Sequence, residues 1–142
     1  MTPARLAVLI LLTLVAVAIA LLLQRRRSEP PSAPSYRAPQ QLDRADFREP
    51  AARLLVVMFS SATCNSCPAA WATIEHVAGE WDAPGELAVQ RIDVQDDPDL
   101  HTRYRIDGVP TTIVADADGV VGQAFFGPVE AESVRTALAG LS

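Results

Sequence analysis

Eighteen consecutive residues, Leu6 to Leu23 (LAVLILLTLVAVAIALLL), carry no charge and a single polar side chain, Thr13. As a helix they span roughly 27 Å, close to the hydrocarbon thickness of a bilayer. This stretch divides the chain, because a buried helix of a soluble domain keeps a polar face and this one has none. A cleaved signal peptide is the other alternative, since small residues near Ala18 and Ala20 imitate a cleavage site. Signal peptides, however, have a shorter apolar core with positive charge in front. Here Arg25, Arg26 and Arg27 lie behind the core and only Arg5 precedes it. We therefore expect a short tail over 1–5 and an uncleaved, single-pass transmembrane helix over 6–24. The positive-inside rule favours the cytoplasm for everything that follows Arg25–Arg27, with the extracytoplasmic side as the alternative.

Residues 25–42 continue as a basic and then proline-rich tether, with Pro30, Pro31, Pro34 and Pro39 and few large apolar groups. Such a segment builds no core and tends towards extended polyproline II. Charge is split unevenly. Residues 1–42 have five Arg against Glu29, a net of +4, and residues 43–142 have seven Arg against sixteen acids, a net of −9. So acidic a folded part has nothing to neutralise phosphates, and nucleic acid is not an expected partner. The chain has no Lys, which excludes lysine Schiff-base chemistry and a P-loop.

Within 43–142, Asp43 is placed to cap a short helix. Residues 54–60 (LLVVMFS) are a continuous apolar stretch suited to a strand buried on both faces. Cys67, Trp71, Ile74, Val77, Ala78 and Trp81 then follow at helical spacing, with Pro68 tolerable in a first turn. Residues 87–94 read as a strand, Pro98 opens a short helix through Tyr104, and 111–116 and 120–126 form a hairpin across Ala117-Asp118-Gly119. An amphipathic helix over 129–141 closes the chain. The early strand–helix–strand unit implies a parallel pair with a right-handed crossover, and the hairpin adds antiparallel strands. The expected fold is an α/β sandwich around one mixed sheet.

Cys64 and Cys67 are the only thiols, set between a buried strand and a helix. Three positions apart in a regular helix, their Cβ atoms lie about 5–6 Å from each other. A disulfide prefers roughly 3.8 Å, so a slight distortion of the first turn lets the bond form and break. The strand delivers Cys64 to the helix N-terminus, where unpaired amides and the dipole favour an anion. A thiolate there is the reactive form, with a pKa lowered from about 8.5 into the range 3.5–7.5. Cys64, nearer the tip, reads as the nucleophile and Cys67 as the resolving thiol. Structural core cysteines need no such placement. Zinc wants four ligands, and neither a second Cys pair nor the spacing of His76 and His101 supplies them; haem attachment wants a His where Pro68 stands. No cofactor or metal is expected, although a metal carrier using the two cysteines is an alternative.

These motifs resemble the thioredoxin superfamily over about residues 43–142. The likeness rests on LLVVMFSSATCNSCP, IDVQDDPDL and YRIDGVPTTIVADADG, that is, a CxxC followed by Gly108-Val109-Pro110-Thr111. It implies a thioredoxin-like sandwich with a mixed four-stranded sheet flanked by helices. It also implies a cis Val109–Pro110 peptide beside the cysteines and a backbone edge there that pairs with an extended substrate. Thr63, Val109 and Pro110 are then the substrate-binding residues, and Cys64 and Cys67 the catalytic pair. The implied activity is thiol–disulfide exchange with partner protein thiols or disulfides, its direction left open. Several positions depart from the family pattern. Thr63 stands where a Trp is usual, Asn65-Ser66 replaces Gly-Pro, and Met58 occupies the place of a buried acid whose lysine partner falls near Arg91. The usual first strand is missing or replaced by the tether. Those departures motivate an alternative, a non-catalytic thioredoxin-like binding module serving as accessory subunit of a larger membrane complex. His76 and His101 are expected as solvated surface residues, Trp71 and Trp81 as core, and Asp96, Asp97 and Asp99 as a helix-capping, water-facing group.

Overall fold

The computed structural model describes Thr13, residues 15–17, Ile19 and residues 36–142. The tail 1–5, Arg25–Arg27 and the tether as far as residue 35 lie outside the described residues, as does the expected transmembrane helix apart from Thr13, 15–17 and Ile19, which are helical. Among the described residues no helix is long and apolar enough to cross a membrane. The chain divides into residues 1–35 and a compact unit from Tyr36 to Ser142.

Strand β1, Leu54–Ser60, buries all seven of its side chains. It pairs in parallel with β2 (Leu87–Asp93) and antiparallel with β3 (Thr111–Ala115), which pairs in turn with β4 (Val121–Phe126). The order β2-β1-β3-β4 makes a mixed four-stranded sheet. Because β1 meets water on neither face, its sequence shows no polar alternation, yet its period of two still sorts the side chains. Leu55, Val57 and Phe59 pack on one side with Leu42, Phe47, Ile92 and Tyr104. Leu54, Val56 and Met58 pack on the other with Cys67, Ile74, Val77, Val134 and Leu138. That second face is covered by α1 (Cys67–Gly79) and α3 (Ala131–Ala139). Trp71 and Trp81 are partly buried against it.

The first face is covered by α2 (Pro98–Arg103) and a 3₁₀ turn, Arg44–Asp46. Asp97 caps α2 by accepting from Leu100 N–H at 3.1 Å, and Asp43 caps the 3₁₀ turn by accepting from Ala45 N–H at 3.0 Å. His101 departs from expectation. It is 6% exposed, lies edge-on to Phe59 at 5.0 Å, and donates from Nδ1 to the Asp97 carbonyl at 3.2 Å. Pro98 sets the phase of the short helix, and that phase turns positions 101 and 104 inward together. His76, in contrast, is exposed and pairs with Glu80 at 3.3 Å.

The compact unit also takes in residues 36–42, the last part of the expected proline-rich tether. Leu42 is buried and its N–H donates to Gly119 O at 2.8 Å, while Val121 N–H donates to Gln40 O at 3.0 Å. Gln41 thus bridges Val120 antiparallel, and the segment runs back beside β4. Gly119 permits this in two ways: it takes φ of +80°, and a Cβ on it would run into the Leu42 carbonyl. Arg44, missed by sequence reasoning, is buried and donates to the carbonyls of Asp116 (2.8 Å) and Glu49 (3.2 Å). Burial pulls its guanidinium pKa down, an effect that Asp116 opposes.

Tyr104 ties the 3₁₀ turn to α2. Its hydroxyl donates to Asp46 at 2.5 Å and accepts from Asp43 N–H at 3.0 Å. Burial above all, and then the bond to Asp46, push its pKa up to about 12. The folded value lies above the ordinary value of about 10, so this stabilisation is complete below pH ~10 and is lost as pH rises towards 12. With no lysine in the chain, few other groups titrate in that window. The urea midpoint of the oxidised protein should fall between about pH 10 and 12, and Tyr104→Phe should flatten that fall. Equal slopes for the two proteins would contradict this role.

Candidate active site

Register gathers three strand ends at one pole of the sheet. Phe59 pairs with Thr111, and Thr111 with Phe126, so the end of β1, the start of β3 and the end of β4 stand side by side. The loops that leave them carry Cys64, Val109–Pro110 and Gly127.

Cys64 and Cys67 are joined as a disulfide with Cα atoms 5.5 Å apart. Their environments differ sharply. Cys67, in the first turn of α1, is 0% exposed and packs in the apolar cluster that contains Met58, whereas Cys64 is only partly buried. Solvent therefore reaches Cys64 and not Cys67. Ser66 is the N-cap of α1, yet its side chain makes no capping bond. The hydroxyl instead lies 3.8 Å from Cys64 Sγ, and since a disulfide sulfur has no hydrogen, the hydroxyl is the donor. The first turn of α1 thus keeps its positive end uncapped by any side chain beside the two sulfurs.

The loop before Cys64 is fastened from β2. Parallel register sets Ser60 beside Asp93, which brings residue 95 alongside residues 61 and 62. Gln95 accepts from Ala62 N–H at 3.1 Å and donates to Ser61 Oγ at 3.3 Å; Ser61 Oγ in turn accepts from Thr63 N–H at 3.3 Å. Thr63 is exposed and presents no aromatic ring. Below the loop, Arg91 Nε donates to the buried Ser60 hydroxyl at 3.0 Å, and Ser60 Oγ lies 3.3 Å from Asp93 Oδ2. Arg91 is thereby engaged with Ser60, while Met58 lies fully buried among apolar groups. Sequence reasoning missed Gln95 and Ser66; the β1–β2 register was the only signal for Gln95.

Val109–Pro110 is a cis peptide. Pro110 is buried, and its carbonyl accepts from Gly127 N–H at 2.8 Å. Gly108 O accepts from Thr111 Oγ1 at 2.7 Å. Val109 packs against the apolar clusters on both sheet faces, but its N–H and C=O have no hydrogen-bond partner among the described residues. An exposed edge of this kind can pair with an added extended chain. Chemically, the pole offers a dithiol–disulfide couple with one accessible sulfur, two electrons to give or take, and a backbone edge nearby.

Comparison with known proteins agrees with this geometry. The thioredoxin family model matches residues 39–139. A thioredoxin of Methanocaldococcus jannaschii is 34% identical over 62 residues, covering 44% of this chain and 71% of that protein. Among solved structures, chloroplastic thioredoxin z has a TM-score of 0.56 at 28% identity, covering 63% of this chain and 78% of its own. A malaria-parasite thioredoxin-2, described as a component of the protein secretion machinery, shares the fold at a TM-score of 0.56 and 11% identity, with 62% of this chain and 82% of its own covered. The fold, the cysteine pair and these matches converge: the chain belongs to the thioredoxin family.

Proposed function

We propose that the protein is a membrane-tethered thiol–disulfide oxidoreductase that exchanges its Cys64–Cys67 couple with partner proteins. The observation that carries this reading is the asymmetry of the pair: a partly exposed Cys64 at an uncapped helix end, over a Cys67 with no exposure. Starting from the dithiol, the Cys64 thiolate attacks one sulfur of a partner disulfide. The new S–S bond forms as the partner's own S–S bond breaks, and the released partner thiolate takes a proton from water. Cys67 then loses its proton to water and attacks Cys64 Sγ; the intramolecular disulfide forms, the mixed disulfide breaks, and the second partner thiolate leaves and takes a proton from water. Two electrons pass from protein to partner, and from the disulfide state the same steps run in reverse. Met58 lies in the apolar cluster around Cys67, at the place where a carboxylate would serve as base.

The uncharged run 6–23 and Arg25–Arg27 support the tether and a cytoplasmic position of the redox domain. Labelling of Cys64 with a membrane-impermeant thiol reagent, after a permeant reductant, should require permeabilisation of the cells. Labelling in intact cells would reverse the sidedness, and recovery of the protein in the soluble fraction would remove the tether. The second reading, a non-catalytic accessory subunit of a membrane complex, is favoured by Met58 and by the absence of an aromatic ring at Thr63. It predicts that Cys64→Ser leaves the cellular phenotype intact.

A further inference from the structure

Three serine or threonine side chains are buried among the described residues: Ser60, Thr111 and Thr112. Ser60 Oγ accepts from Arg91, and Thr111 Oγ1 donates to Gly108 O. Thr112 Oγ1, in contrast, has no hydrogen-bond partner among the described residues, although the residue is 0% exposed. A buried hydroxyl left unbonded carries its full desolvation penalty, so its presence calls for a reason. Thr112 stands opposite Met58 on β1 and Phe125 on β4. Successive side chains of β3 alternate, which sets Thr112 on the face of Val114 rather than that of Ile113. That is the face on which Met58, Phe125 and Cys67 pack.

We propose that Thr112 is a further catalytic residue, whose hydroxyl donates a hydrogen bond to the Cys67 sulfur once the disulfide has opened. The inference rests on the exchange reading above and assigns a residue to its second half. Of the side chains in that cluster, only the two cysteines change on reduction. Cys64 is partly exposed and already has a hydroxyl beside it, that of Ser66 at 3.8 Å. Cys67 has neither exposure nor a hydrogen-bond partner among the described residues. As half of a disulfide its sulfur is a weak acceptor that needs none, but a thiolate shut away from water needs a donor. During resolution Cys67 gives its proton to water, the thiolate accepts from Thr112 Oγ1–H, and it attacks Cys64 Sγ as the partner thiolate leaves. Thr112 keeps its own proton throughout. A hydroxyl therefore does not do what a carboxylate at position 58 would: it takes up no proton, and it steadies the anion after the proton has gone.

The test mixes the reduced full chain with an excess of a symmetric nitrobenzoate disulfide, whose released thiolate is coloured, in a stopped-flow instrument. Attack by Cys64 releases a first thiolate at a rate that rises with reagent concentration. Attack by Cys67 on the mixed disulfide releases a second at a rate that does not. Thr112→Val keeps the branched shape and removes the hydroxyl. It should leave the first phase within about twofold of wild type and slow the second by about tenfold or more, the scale of one hydrogen bond to a charged group. Thr112→Ser, which keeps the hydroxyl, should resolve within about threefold of wild type. In the oxidised state, where the hydroxyl has no partner, Thr112→Val should melt no lower than wild type. A second phase unchanged in Thr112→Val, a second phase as slow in Thr112→Ser as in Thr112→Val, or a lower melt of oxidised Thr112→Val would overturn the inference and leave exchange intact. A wild-type chain that releases no coloured thiolate would instead defeat the exchange reading, and the inference with it.

Discussion

Cys64→Ser should lower the rate of dithiol-driven disulfide reduction by at least about a thousandfold. A hydroxyl cannot carry the mixed disulfide, and the other thiol cannot take its place, because Cys67, in the first turn of α1, is 0% exposed. The substitution removes a partly exposed sulfur, so folding should persist, and circular dichroism on the same sample checks that it does. Reduction of a peptide disulfide by the full chain, followed against time with excess dithiol reductant, gives the number. A variant with activity within tenfold of the wild type would contradict the role of Cys64 as the nucleophile.

The largest stability effect should come from Phe59→Ala. Phe59 is fully buried in β1, makes a T-shaped contact with His101 and lies 6.3 Å, centroid to centroid, from Tyr104. Truncating such a ring removes its burial and leaves a cavity that the surrounding strands cannot close, at a cost of about 3–5 kcal/mol. For a domain of this size that corresponds to a fall in Tm of more than about 10 °C. It also leaves a buried imidazole, whose Nε2 has no hydrogen-bond partner among the described residues, without its aromatic neighbour. Thermal melts of the oxidised full chain would measure the fall, and a shift under about 3 °C would show that the core collapses around the gap.

Local pattern made much of this architecture legible in advance. LLVVMFS is long, apolar and bounded, and it became the doubly buried β1. The spacing of Cys67, Ile74 and Val77 fixed the inner stripe of α1, and Ala117-Asp118-Gly119 the turn between β3 and β4. What escaped were ties between residues distant in the chain. The backbone pairing of Gln40 and Leu42 with the turn after β3 overrides the proline content that made the segment read as tether. Arg44 is buried because a carbonyl 72 positions away accepts from it, a reason no local window contains. His101 is buried because the phase of a six-residue helix turns it inward. Gln95, which braces the loop before Cys64, follows only from the β1–β2 register. The cysteines themselves were visible from their spacing and flanks, whereas the stacking of Tyr36 on Phe126 was not, since the two are 90 positions apart in sequence.

Mass spectrometry of the reduced full-chain Cys67→Ser variant, after exposure to a peptide disulfide, tests the central claim most directly. With the resolving thiol gone, the account predicts a stable adduct of one peptide per chain, mapped to Cys64 and released by reductant. A chain that stays unmodified under conditions where a small thiol reagent labels Cys64 would contradict it.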